Sequence, residues 1–208
     1  MKLEYRVYDT LKPEDILCTR YNCTDMSITR ISDKTFKEYK GAKRAHTEHP
    51  CFGYIQLSYG RDPFFYVTTP PMTCLFGVQQ RYGSNFEMCL QFDDLDMDPA
   101  MQGFYEFIEN VEFVCMKHLG LREDEEERFV SQIKIDKKQR YEPKLMVKVP
   151  FTYNSFQTDI YSDTEDTLNL LTISRFTPME CDIYLDKIWR MNEKFYAKWK
   201  CRCIHLVG

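Results

Sequence analysis

Lys134, Lys137, Lys138, Arg140, Lys144 and Lys148 surround one aromatic residue, Tyr141. Two acids, Asp136 and Glu142, oppose these six cations, which leaves a local excess of four positive charges. Cations at this spacing suit phosphate oxygens, and a ring among them offers a face on which a base can stack. The same composition also describes a solvated hairpin whose lysines guard a sheet edge. A second cluster lies near the C-terminus, where Trp189, Arg190, Phe195, Tyr196, Lys198, Lys200 and Arg202 interleave. From Lys187 to Arg202 there are six bases and one acid. A third cluster spans 34–44, with Lys34, Lys37, Lys40, Lys43 and Arg44 around Phe36 and Tyr39.

Covalent chemistry has less to work with. There is no GxSxG, no P-loop and no GxGxxG after a strand. The four histidines are His46, His49, His118 and His205. His118 falls in the last turn of a helical pattern, where a cation suits the helix dipole. His46, His49 and Cys51 have loose metal-ligand spacing without a second well-spaced pair. Asp93, Asp94, Asp96 and Asp98 could hold a metal for nuclease chemistry. Asp98-Pro99 reads more simply as a helix N-cap with proline in the first turn. Nine cysteines, none in CxxC spacing, read as reduced thiols, several of them small core hydrophobes. The reading therefore assigns no catalytic residue, no metal and no cofactor.

The elements that must hold the cations are strands. Phe129 to Ile135 and Leu145 to Val149 alternate apolar with polar residues, with Gln132, Lys134 and Lys148 at wet positions. Other strands are expected at Glu4–Tyr8, Ser27–Ile31, Phe52–Tyr59, Phe64–Val67 and Phe86–Phe92. A last strand over Ala197–Leu206 sets Lys198, Lys200 and Arg202 against Trp199, Cys201 and Cys203. One helix stands out at 99–118. Met101, Phe104, Ile108, Val111 and Cys115 follow three-and-four spacing there, and Gly120 is the stop. Short strands around one helix predict an antiparallel barrel or sandwich with a helical insert. Residues 1–50 would form an N-terminal extension of strands and a basic loop in a single domain spanning 1–208.

The formal net charge is −4. Residues 93–127 hold twelve acids and two bases and so carry −10; the rest, −4 minus −10, carries +6. A basic body with an acidic insert is compatible with a polyanionic partner. The N-terminus has no apolar signal-like core and no run reaches membrane-spanning length, so a soluble intracellular protein is expected.

Several short motifs resemble one family. They are Thr69-Pro70-Pro71-Met72 followed by Phe76-Gly77, Phe107-Ile108 with Val111-Glu112, and Phe129-x-Ser131-x-Ile133-Lys134. Tyr141-x-Pro143-x-Leu145-x-Val147-Lys148-Val149-Pro150 and Ile188-Trp189 complete the set. Across residues 52–207 the chain resembles the single-stranded DNA-binding proteins of nucleocytoplasmic large DNA viruses. It departs from them at Phe195-Tyr196, where members often carry Phe-Gly. The resemblance implies an OB-type β-barrel and a role in viral DNA replication, recombination or repair. It places Lys134, Tyr141, Lys144, Lys148 and Trp189 on the DNA-facing surface. Location would be host cytoplasm or viral factory, nucleus or virion. The partners implied are single-stranded DNA and, through the acidic run 123–127, replication proteins. A homo-oligomer is compatible with this reading and a membrane is not. Two alternatives stay open: a structural or scaffold β-protein of a virus, and a thiol-dependent enzyme.

Overall fold

A computed structural model describes residues 6–23, 53–162 and 169–207, with side chains of 19–23 left aside. The strand expected at Ser27–Ile31, the basic loop 34–44 and the His46/His49/Cys51 group lie outside the described residues. In chain order the strands are β1 (Ile16–Cys23), β2 (Gly53–Tyr59), β3 (Phe65–Thr68), β4 (Met72–Cys74), β5 (Gln79–Gln80) and β6 (Phe86–Gln91). Helix α1 (Pro99–His118) follows. Then come β7 (Ile133–Lys134), β8 (Lys144–Val149), β9 (Phe151–Thr152), β10 (Ser155–Phe156) and β11 (Asp159–Ser162). The chain closes with β12 (Thr177–Leu185), β13 (Lys187–Met191), β14 (Lys194–Ala197) and β15 (Lys200–Leu206).

Five of these strands close a barrel. Around it the order is β12–β4–β6–β8–β15, and β15 pairs back onto β12. A mainly β fold with one long helix and an OB-type barrel is therefore what the chain forms. One seam is not antiparallel: β8 and β15 run parallel and meet at Lys148 and Lys200. The last strand thus lies beside β8 while also running antiparallel to β12. A second sheet, in the order β1–β2–β13–β14, continues from the barrel where β12 passes through Asp186 into β13. The first strand of that sheet, Ile16–Cys23, was not expected from the sequence. The strand expected at Glu4–Tyr8 is absent over its described part, and Tyr8–Thr10 forms a 3-10 turn.

Alternation explains the core. On β8, Leu145, Val147 and Val149 point inward and are buried, opposite Leu90, Met88 and Phe86 of β6. Trp199, Phe65, Phe92 and Phe104 are among the largest fully buried side chains. Helix α1 starts where Asp98 Oδ1 accepts the Ala100 N–H at 2.8 Å, with Pro99 in the first turn. Gly120, at φ 63°, follows its C-terminal end. Met101, Phe104, Phe107, Ile108, Val111 and Cys115 form its buried face. Tyr8 lies on that face, 5.7 Å from Phe104 between ring centroids. A Cβ at Gly103 would stand 2.9 Å from the Tyr8 hydroxyl oxygen, so a larger residue there would push the tip of the Tyr8 side chain aside. His118 Nε2 lies 2.8 Å from the Ile16 carbonyl oxygen and ties the helix end to β1.

Candidate nucleic-acid interface

The face of β6 and β8 turned away from the core carries three cross-strand pairs: Glu87–Lys148, Cys89–Met146 and Gln91–Lys144. β7 extends this face, with Lys134 opposite Lys144. At the Lys148 end the face opens into a cleft of about 370 Å³. Arg81, Tyr82 and Asn85 reach it from the β4–β6 connection. Glu87, Met146 and Lys148 form its floor, and Lys198 closes it from the β12–β15 connection. In OB-type barrels the second and third strands, with the loops joining strands one to two and four to five, form the oligonucleotide-binding face. Counting only barrel strands, β6 and β8 are the second and third. The β4–β6 and β12–β15 connections are the two loops.

Local structure sets each cleft side chain. β5 pairs with the start of β6, so residues 81–85 form a tight turn at the cleft mouth. The Gly83 carbonyl accepts from Gln80 Nε2, and Gly83 takes a φ of 57°. Tyr82 sits at the tip, 85 % exposed. Arg81 pairs with Glu87. Gln132, a wet position by its alternation, is instead buried at the back of the cleft. Its N–H donates to Glu112 Oε1 at 2.7 Å and its carbonyl accepts from the Met146 N–H at 3.0 Å. These bonds draw the backbone inward between α1 and β8. Burial raises the Glu112 carboxyl above the usual range, while the Gln132 N–H and Ser131 lower it.

Cations crowd the floor. Burial lowers the Lys148 ammonium below its ordinary value, and Lys200 and Lys198 lower it further. Asp186 works the other way. Lys200 Nζ donates to Asp186 Oδ2 at 2.6 Å. Lys198 is exposed, and its Nζ stands 5.6 Å from the Tyr196 ring.

Beyond Lys198 the second sheet presents three rings in register. Trp189 of β13 pairs with Tyr54 of β2 on one side and Tyr196 of β14 on the other. The Tyr54 and Trp189 rings are 5.1 Å apart. Lys187 Nζ lies 4.5 Å from Tyr54 and 5.5 Å from Trp189, within cation–π range. Trp189 is 38 % exposed, whereas the other tryptophan, Trp199, is 1 % exposed. The core tryptophan is therefore Trp199.

The residues singled out from the sequence divide into groups. Lys148 and Lys198 meet in the cleft, Lys200 adjoins Lys148, and Lys134 and Lys144 share the same outer face. Lys137, Lys138, Arg140 and Tyr141 do not join them. They are exposed at the hairpin tip beyond Lys144, and Lys144 stands four residues, roughly 13 Å, from Lys148 along β8. There Arg140 Nε pairs with Asp136 at 3.2 Å. Arg202 is exposed at a β12–β15 register shift. Two residues are corrected outright. Phe195 is 1 % exposed beneath the Arg128 guanidinium, so no base can reach its ring. Arg190 is turned inward and its guanidinium lies 2.9 Å from Glu193.

Sequence reasoning missed Arg81, Tyr82 and Tyr54 as site residues and counted Lys187 only within a basic run. The available signal was Arg81-Tyr82-Gly83-Ser84, a cation and a ring at the tip of a turn. Among the described residues, six thiols sit in surroundings unfavourable to nucleophilic chemistry. Burial raises Cys18, Cys74, Cys89, Cys115, Cys181 and Cys203, and a reactive thiol needs the opposite shift. Among the described residues no helix is long and apolar enough to cross a membrane. Comparison with protein-family models and with curated proteins gives no match to this chain.

Proposed function

We propose that the protein binds single-stranded DNA without sequence preference and without catalysis. The observation that carries this reading is the placement of the cleft. Its floor, with Lys148, lies on the second and third barrel strands, and Arg81, Tyr82 and Lys198 reach it from the two loops that OB-type barrels use for oligonucleotides. Arg81, Lys148 and Lys198 supply three cations against one acid, Glu87. Tyr82 supplies an exposed ring for a base. From the cleft the path continues over Lys198 to Tyr196, Trp189 and Tyr54. Lys187 adds a cation beside the last two rings. Rings alternating with cations hold an unpaired strand by stacking and phosphate contact, with no need for base-edge readout. The motif resemblance to viral single-stranded DNA-binding proteins supports a role in replication, recombination or repair of a large DNA virus. It also supports a location in the host cytoplasm or viral factory.

Titration of the full chain with fluorescent oligo(dT), in competition with duplex DNA and heparin, tests the reading. Saturable binding is expected, with single strands outcompeting duplex of equal charge. The log–log salt slope should be about −2, near −0.7 for each of three neutralised phosphates. Absence of saturable binding at low salt ends the proposal. Equal competition by heparin would leave a surface that only collects polyanions, as the scaffold reading holds.

A further inference from the structure

Farther along β15, away from the cleft, three side chains of different chemistry converge. The Cys203 Sγ lies 3.3 Å from His205 Nε2, and that nitrogen lies 3.7 Å from Asp182 Oδ2. All three potential ligand atoms fall within 4.8 Å of one another. The geometry points to a Zn²⁺ site formed by Asp182, Cys203 and His205, with its fourth position on the solvent side of the histidine.

Backbone register creates the cluster. The pairing of β12 with β15 shifts between Asp182 and Ile183, leaving Arg202 without a register partner between Cys201 and Cys203. Such a bulge reverses which way the following side chains point. Before it, Cys201 faces the core opposite Ile183. After it, Ile204 takes the core position opposite Cys181. Cys203 and His205, two residues apart, therefore share the outer face with Asp182, the register partner of Cys203. This corrects the simple alternation, which placed Cys201 and Cys203 on the same side.

The spacing suits the ion. A tetrahedral zinc with Zn–S of about 2.3 Å and Zn–N of about 2.05 Å has an S···N edge of about 3.5 Å. Its N···O edge, for bonds of about 2.1 Å, is about 3.4 Å. The observed 3.3 and 3.7 Å bracket these values. One thiolate, one imidazole and one carboxylate favour a borderline-soft ion over Ca²⁺ or Mg²⁺. The surroundings orient the ligands as supporting groups around metals do. The Thr68 hydroxyl donates to Asp182 Oδ1 at 2.6 Å, leaving Oδ2 toward the histidine. Tyr161 of β11 stacks on the His205 ring at 5.6 Å and 21°.

Charge and proton balance agree. A cysteine binds a metal as its thiolate, so the Cys203 sulfur must give up its proton. On binding, Zn²⁺ takes the place of that proton, which leaves to solvent. The thiolate and carboxylate then neutralise the ion. The bound metal would cross-link β12 and β15 beside the bulge.

The test uses the full chain stripped with a chelator and titrated with Zn²⁺ against a chromophoric competitor, then with Co²⁺. The wild type should take up one equivalent more than C203S or H205A. Its Co²⁺ form should show a thiolate-to-metal charge-transfer band that C203S lacks. Oligo(dT) affinity should be the same in H205A and wild type, which separates this site from the cleft. Differences between variants read this site alone, whatever other cysteines bind. If C203S does not fold, H205A decides, because the His205 side chain is about half exposed and lies outside the core. Equal metal uptake by H205A and wild type, or a Co²⁺ form with no thiolate band, would overturn the assignment.

Discussion

Lys148 lies directly opposite Lys200 where β8 and β15 close the barrel, so two ammonium groups share one rung of the sheet. Like charges in this position are destabilising. Asp186, held by Lys200 at 2.6 Å, offsets part of the repulsion. Under the proposed function a phosphate in the cleft would offset the rest, so the arrangement would trade stability of the free protein for affinity.

Replacing Lys148 by methionine should therefore raise stability by about 0.5 kcal/mol, allowing for solvent screening, and weaken DNA binding. The salt slope should become shallower by about 0.7. The pH sign follows from a lowered lysine. Its stabilising contribution is present above the ordinary value of 10.5 and is lost as pH falls through the depressed one. Thermal unfolding from pH 7 to 11 should show this relative gain at high pH in wild type but not in K148M.

Tyr82 touches solvent on nearly all sides. Y82A should leave the melting temperature unchanged and weaken oligo(dT) binding by about 1–3 kcal/mol. Y141A, at the far hairpin tip, should have the smaller effect. If Y141A weakens binding more than Y82A, the strand path is misplaced.

Phe195 separates packing from recognition. F195A should destabilise by about 3–5 kcal/mol in urea denaturation. At temperatures where the variant is folded, its DNA affinity should match wild type. W189A should behave in the opposite manner: little loss of stability, and weaker binding of long oligonucleotides but not of those that fill only the cleft.

These contrasts show what the sequence could reveal. Asp98-Pro99, the three-and-four spacing and Gly120 mark α1 because a helix is specified by neighbours in the chain. Lys148 is recognisable because alternation on β8 is unbroken. Arg81 and Lys198 are 117 positions apart. Only barrel closure brings them together, and no local pattern records it. Phe195 sits among lysines and so reads as surface, although Phe195, Ala197 and Trp199 share one inward phase. The shift at Arg202 breaks the period-two pattern, so the outward turn of Cys203 could not be read from spacing.

Glu112 offers a second pH test. Its folded carboxyl titrates above the ordinary value of 4.5, chiefly through burial. Its contribution to stability is complete below that value and is lost as pH rises through the raised one. E112Q should remove this acid-side slope from a plot of unfolding free energy against pH.

The parallel seam between β8 and β15 has a temporal consequence. Loop-closure entropy must be met before so distant a contact forms. A chain emerging from the ribosome has β6 and β8 long before β15 exists, so half of the trough waits for its opposite wall. Under the proposed function, grip on nucleic acid would switch on only once β15 has been made, and truncation ahead of that strand would leave lysines but no grasp.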